Sequence, residues 1–221
     1  GVSVSEKLPE LTADDVLVLA VKPQDMQAAC QGVQTNGALV LSVAAGLSIA
    51  TLSRYLGGTR RIVRVMPNTP GKIGLGVSGM FADDSVSDQD KAAADSIMRA
   101  VGITVWLDGE ERLHDITGIS GSGPAYVFYL LDALKQAARQ QGFGEKEAHR
   151  LSLATFKGAV ALAERTGEDF AVLQQNVTSK GGTTHEAIET FKAGQIAETV
   201  VKGVAACVNR SRELAKQFEA V

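Results

Sequence analysis

Cysteine is nearly absent from this 221-residue chain: there are two, Cys30 and Cys207, far apart in the sequence. Such a pair predicts neither a disulfide framework nor a cysteine-based zinc site, and a reducing compartment, the cytoplasm, is expected. Histidine is almost as scarce. His114, His149 and His185 lack the paired spacing with cysteines or carboxylates that a metal needs, so no metal is expected. No apolar run approaches the roughly 18 residues of a membrane span, and no membrane partner is expected. Charge of one sign is missing too: 22 Lys and Arg against 25 Asp and Glu leave a formal charge of -3, scattered along the chain. That balance argues against a nucleic-acid surface or a polybasic anchor and leaves a small molecule as the expected partner. Also lacking is any strand that leads through G-x-G-x-x-G into a helix, the usual cradle for a pyrophosphate. Gly118-Ile119-Ser120-Gly121-Ser122-Gly123 is glycine-rich but follows a helical pattern. The opening Gly1-Val2-Ser3-Val4-Ser5-Glu6 has neither the charged nor the apolar region of a leader and reads as the middle of something.

What is present begins with strands. Asp15-Val16-Leu17-Val18-Leu19-Ala20-Val21 is a nearly continuous apolar run, the pattern of a strand covered on both faces in a parallel sheet. Pro23 can open a helix bearing Met26, Ala29 and Cys30, and residues 38–43 form a second strand, completing a βαβ unit. Ser48 can cap a short helix that Gly57-Gly58 ends, and residues 62–65 make a third strand. Gly74 to Phe81 and Ile103 to Leu107 read as two more, with Asp88 to Val101 as a helix between them. In α/β sheets, ligands gather at the carboxyl ends of strands. Three segments lie at those ends: Ala20-Val21-Lys22-Pro23, Val43-Ala44-Ala45-Gly46 and Met66-Pro67-Asn68-Thr69-Pro70. Read from the residues alone, two of these are tight turns.

From Glu110 onward the strand signal vanishes. Helical spacing recurs after Gly123-Pro124, around Leu151 to Ala163, and from Ile196 to Phe218. The apolar faces are broader than a bundle of this size needs, and a dimer interface is their natural outlet.

One stretch carries most of the chemistry. Asn176-Val177-Thr178-Ser179-Lys180-Gly181-Gly182-Thr183-Thr184-His185-Glu186 is a polar loop running into an apolar-periodic segment with Ala187, Ile188 and Phe191. Thr183 and Glu186 fit a capping box, so a helix is predicted to begin near Thr184. Gly181 and Gly182 allow close backbone approach, and the first-turn amides would favour an anion such as a carboxylate. An ordinary capped surface helix fits the same residues.

Val177-Thr178-Ser179-Lys180-Gly181-Gly182-Thr183-Thr184 followed by Ala187-Ile188 resembles the C-terminal signature of the 1-pyrroline-5-carboxylate reductases, with Lys180 where that family usually has proline. Asp115-Ile116-Thr117-Gly118-Ile119-Ser120-Gly121-Ser122-Gly123-Pro124-Ala125-Tyr126 matches a second motif of the family. The resemblance implies an α/β fold in two parts: a partial Rossmann-like parallel-sheet domain over residues 1–109, and an all-helical dimerisation and substrate domain over residues 110–221. Because the family carries its glycine fingerprint in an N-terminal segment preceding residue 1 here, the chain is identified as an N-terminally truncated member. On its own it is expected to bind NAD(P)H weakly.

The resemblance further implies reduction of a cyclic imino acid, 1-pyrroline-5-carboxylate, to L-proline with NADPH or NADH, by a homodimer or a higher assembly of dimers. It implies cofactor contacts from Ala20, Val21, Lys22, Pro23, Val43, Ala45, Asn68 and Asn176. Substrate contacts are implied for Glu110, Asn176, Ser179, Gly182, Thr183 and Thr184, with Thr184 hydrogen-bonding near the ring nitrogen and relaying a proton. A non-catalytic dimerising or ligand-binding module remains the rival for this chain. A reductase of the 6-phosphogluconate dehydrogenase type would offer GxxxKxxxN, but around Lys157 the glycine position holds Leu153 and the asparagine position Ala161.

Overall fold

A computed structural model describes residues 1–219 of the chain. The chain divides into two compact units. The first is Gly1–Pro124 together with the chain from Val204 on, and the second is Ala125–Gly203.

The first unit is built on a five-stranded sheet whose spatial order follows the sequence: β1 (Val16–Leu19), β2 (Leu39–Ser42), β3 (Ile62–Met66), β4 (Gly76–Phe81) and β5 (Gly102–Trp106). Strands β1, β2 and β3 are parallel, β3 and β4 antiparallel, and β4 and β5 parallel again. The reversal after β3 has a simple cause. Residues 67–75 contain only a 3-10 turn, Thr69–Ile73, which is too short for the crossover a parallel neighbour requires. The other links carry helices: α1 (Met26–Cys30), α2 (Ile49–Tyr55) and α3 (Asp88–Arg99).

Period-two alternation divides the core between the two faces of the sheet. Leu17, Leu19, Val40 and Ile62 pack with Met26, Cys30 and Leu52 of α1 and α2. Leu39, Leu41, Val63, Val65 and Met80 pack with Ala94 and Met98 of α3. All four residues of β2 are buried, as a central strand of an apolar run should be. Among the described residues strand β1 pairs with β2 alone, and the expected cover on both faces is incomplete, since Val18 is exposed while Leu17 and Leu19 are buried. Arg61 locks the amino ends of these elements together. Its guanidinium grips both oxygens of Asp90 at 2.9 and 2.6 Å and donates to the carbonyls of Ala13 and Gly37. That guanidinium holds the Asp90 carboxyl below the usual carboxylate range.

After β5, the chain makes α4 (Arg112–Ile116), a π-helical turn (Thr117–Gly121), and the start of α5 (Gly123–Gln140). Ile116 packs over Gly79 of β4, where a Cβ would come within 2.6 Å of its side chain. The later helices are α6 (Glu145–Thr166), α7 (Phe170–Asn176), α8 (Thr183–Ala193) and α9 (Ile196–Glu219). Segment 110–124 and the last part of α9 belong to this first unit.

The second unit has almost no core of its own. Among its described residues only Ala148 and Ser152 are buried, while Phe128, Tyr129, Val160, Leu162, Phe170 and Val201 are exposed. Its local structure is nonetheless well specified. Asp169 caps α7 through Ala171 N at 2.8 Å, Gly167 ends α6 in the left-handed region at φ 64°, and Asp132–Lys135 and Arg139–Glu145 are ion pairs. Among the described residues no helix is long and apolar enough to cross a membrane.

Candidate active site

Because β1, β2 and β3 are parallel, their carboxyl ends emerge on one edge of the sheet and carry three of the sequence-predicted segments there. Ala20, Val21, Lys22 and Pro23 follow β1, with Lys22 extended and Pro23 opening a 3-10 turn. Val43 follows β2 and donates its amide to Leu19 O at 3.1 Å, tying the first two segments together. Ala45 is exposed beside Gly46, whose φ of 79° suits glycine and where a Cβ would come within 3.3 Å of the Phe218 ring. A cleft of about 400 Å³ opens here, lined by Pro23, Ala45, Thr117, Ser122, Cys207 and Leu214 among others. Its walls are largely apolar, with hydroxyls from Thr117, Ser122 and Ser211 and the charged Arg210 also in the lining, and the apolar part suits a flat, weakly polar ring.

Asn68 sits in the third segment as a clamp. Its Nδ2 donates to Ser120 O and its Oδ1 accepts from Val77 N, both at 2.9 Å, joining the π-helical turn to β4. Its polar atoms thus face protein, and its contribution to the wall is to fix the turn that carries Thr117 and Ser122. Those two residues belong to the 115–126 motif, yet sequence reasoning named neither as a site residue.

Glu110 has an equally specific setting. Oε1 accepts from Ile49 N at 2.7 Å and from Arg64 Nη1 at 2.8 Å, so one carboxylate oxygen serves the first turn of α2 and a buried arginine. A negative group at a helix N-terminus is favoured by the unpaired amides and the dipole. Arg64, on β3, was not singled out from the sequence, since nothing local distinguishes it within an apolar strand. His114 is buried nearby on α4, with Nδ1 2.8 Å from Ser211 Oγ of α9. Burial pushes its pKa below the ordinary histidine value, an effect that Arg64 and Arg212 reinforce and Glu111 and Asp115 oppose.

The remaining predicted residues lie in the second unit. Asn176 ends α7 with its amide 3.4 Å from Glu168 Oε2. The chain then turns: Gly181 is left-handed at φ 68°, and Gly182 N donates to Ser179 O at 2.9 Å. A Cβ on Gly182 would collide with Ser179 Oγ, so the turn closes only around glycine or a displaced Ser179. Helix α8 starts at Thr183, close to the expected place, with Gly182 as its N-cap. The expected capping box is not formed. Thr183 is already helical, no side chain caps the helix, and Glu186 N donates to Gly182 O at 3.3 Å. The preceding amides, those of Thr183, Thr184 and His185, are therefore left as uncapped donors at the positive end of α8. Thr183 and Thr184 are exposed beside them, and Ser179 and Lys180 are exposed in the loop. An anionic group with a neighbouring hydrogen-bonding atom is the chemistry this arrangement accommodates.

The profile of pyrroline-5-carboxylate reductase dimerisation matches residues 110–214. The pyrroline-5-carboxylate reductase of Vibrio alginolyticus is 39% identical over 220 residues, covering 98% of this chain and 81% of that protein. That of Pseudomonas aeruginosa is 41% identical over 222 residues, covering 99% and 81%. Among solved structures, a pyrroline-5-carboxylate reductase from Coxiella burnetii matches with a TM-score of 0.83 and 40% identity over 90% of this chain and 76% of that one. The Plasmodium falciparum pyrroline carboxylate reductase with NADP bound matches with a TM-score of 0.83 and 27% identity over 97% and 86%. With such identity sustained across both units, the chain belongs to the pyrroline-5-carboxylate reductase family.

Proposed function

We propose that this chain serves the reduction of 1-pyrroline-5-carboxylate to L-proline by NAD(P)H, the last step of proline biosynthesis. The observation that carries the reading is the uncapped start of α8, where amides and the exposed Thr183 and Thr184 hydroxyls stand after the Gly181-Gly182 turn. Reduction of a cyclic imine needs a hydride at carbon and a proton at nitrogen. An imine nitrogen is basic enough to be protonated near neutral pH, so orientation matters more than a strong acid and base.

In this reading the α8 amides and Ser179, Gly182 and Thr183 hold the substrate carboxylate, and Lys180 adds a favourable positive charge. Thr184 hydrogen-bonds at the ring nitrogen and relays the proton. Asn176 orients cofactor and substrate. Glu110, with Oε1 engaged, would reach a ligand through Oε2. The bound nicotinamide cofactor, NADPH or NADH, supplies the hydride. Its ring fits the cleft of Pro23, Ala45, Thr117 and Ser122, with Ala20, Val21, Lys22, Val43 and Asn68 forming or bracing the wall. NADP is bound in the Plasmodium relative's structure. We assign the functional division to residue 110, where the dimerisation match begins, and expect a homodimer or an assembly of dimers in the cytoplasm.

A second reading, a dimerising module without catalysis over residues 1–221, rests on the lack of G-x-G-x-x-G in this stretch. The test is imine-dependent NADPH oxidation by residues 1–221 and by the chain extended upstream to the length of its relatives. Activity in the extended chain that falls on Thr184→Ala supports the proposal. No imine-dependent oxidation by the extended chain would overturn it.

A further inference from the structure

The cleft beside Ala45 carries the hydroxyls of Thr117, Ser122 and Ser211 on its wall. Thr117 Oγ1 donates its proton to Leu113 O at 2.7 Å, and Ser122 Oγ lies 3.2 Å from Cys207 Sγ. Ser211 is different, because its partner is an imidazole: Oγ lies 2.8 Å from Nδ1 of His114, a residue only 7% exposed. Ser211 is also shared between the cleft and a small recess lined by Arg64, Leu113 and His114, so the ring meets the cleft through that hydroxyl.

Which of the two atoms donates follows from the surroundings of the ring. Glu111 Oε2 is 3.8 Å from Nε2 and draws the single proton of a neutral imidazole to that side, which leaves Nδ1 to accept from the Ser211 hydroxyl. Burial is the largest influence and favours the neutral ring; Glu111 and Asp115 on α4 oppose it, while Arg64 on β3 and Arg212 on α9 reinforce it. Both arginines are held by carboxylates, Arg64 by Glu110 at 2.8 Å and Arg212 by Asp115 at 3.0 Å.

We infer that His114 is a positioning residue for the cofactor, acting through Ser211: it turns the hydroxyl proton inward, so that the oxygen faces the cleft as an acceptor. This rests on the reading that the cleft takes the nicotinamide ring. An acceptor there favours an N–H donor, the primary amide on that ring, over an analogue with a methyl ketone in its place, which offers no donor. A protonated imidazole reverses the sense, since both of its nitrogens donate and Ser211 must accept, with its own proton turned toward the cleft.

The experiment titrates NADP and its 3-acetylpyridine analogue, by calorimetry, into the chain extended upstream to the length of its relatives. At neutral pH the preference for NADP over the analogue should shrink about fivefold in Ser211→Ala and in His114→Leu, the worth of one hydrogen bond. His114→Asn offers a carbonyl oxygen near the Nδ1 position and does not titrate, so it should keep the preference at every pH. The wild-type preference should instead fade as pH falls below the ordinary histidine value of 6.5, since burial lowers the pKa of this ring. A role in folding alone would weaken both ligands together and leave their ratio unmoved. Nitrogen-15 NMR of the ligand-free chain should show the Nε2-protonated tautomer at neutral pH, and finding the proton on Nδ1 would sink the inference. If wild type and Ser211→Ala share one ratio, His114 does not act through this hydroxyl, although the cleft reading stands. If the extended chain binds neither dinucleotide, the cleft reading fails and this inference falls with it.

Discussion

Individual residues carry the sharpest expectations. Thr184→Ala removes a hydroxyl but leaves α8 unchanged, because Gly182 rather than a side chain forms its N-cap. Turnover of the extended, active chain should fall by roughly tenfold to a thousandfold with the melting temperature unmoved, the signature of lost positioning and proton relay. An unchanged rate would remove Thr184 from the site. Glu110→Ala should act on stability first, since it strips the partner from buried Arg64 and the anion from the start of α2. Because Glu110 is itself partly exposed, the loss should be about 1–3 kcal/mol in denaturant unfolding, below the figure for a fully buried pair. His114 gives a pH dependence of definite sign. Its folded pKa lies below the ordinary 6.5, so the unfolded chain takes up the proton first as pH drops. Stability should thus decline below about pH 6.5 and level off once the folded His114 also protonates, and His114→Asn should flatten that part of the profile. Unfolding curves between neutral and mildly acidic pH measure it; a profile identical in the variant would assign the decline to other groups.

Elements were readable from the sequence to the extent that their causes are local. Ser48 capping α2 through Thr51 N, the buried run of β2 and the glycines ending α2 are one-turn signals, and each stands where it was expected. Helix α8 begins near Thr184 as expected, but the capping box at Thr183 misled because Gly182 takes the N-cap position and leaves Thr183 inside the first turn. Helix α7 was missed because Phe170-Ala171-Val172-Leu173 is a contiguous apolar run without helical spacing. The Arg64–Glu110 and His114–Ser211 pairs are 46 and 97 residues apart, beyond the reach of any local pattern. Close helix packing shows the same dependence on distant chain. A Cβ on Gly118 would lie 2.5 Å from Val208 Cγ2, so the π-helical turn and α9 approach only because residue 118 has no side chain. Val208 is β-branched and stiff at χ1, and it cannot swing away cheaply. Gly118→Ala should accordingly destabilise the first unit by about 1–3 kcal/mol, the usual cost of overpacking. Thermal unfolding reads this as a lowered midpoint; an unchanged one would mean that α9 shifts without penalty.

The whole molecule presents an asymmetry of burial between its two units. The sheet unit holds nearly all of the buried apolar residues, whereas the second unit leaves Phe128, Phe170 and Val201 in solvent and buries only Ala148 and Ser152 among its described residues. Helices of this length gain most of their stability from packing, not from intrinsic propensity, so the second unit needs a surface to pack on. A second copy supplies it, and the matched dimerisation segment spans most of these residues. Linkage then makes stability depend on concentration, because only the folded chain associates. The midpoint of thermal unfolding should rise steadily as protein concentration increases from nanomolar to micromolar, together with the loss of helical signal, which the second unit largely contributes. Below the dimer dissociation constant, the helices of residues 125–203 should melt before the sheet, which carries a buried apolar cluster on each face within one chain. Circular dichroism at several concentrations, paired with hydrogen exchange resolved by segment, distinguishes the cases. Equal protection of α5–α8 and β2–β3 in dilute monomer would show that the helical unit is stable with its apolar faces in water, and the argument from burial would then be wrong.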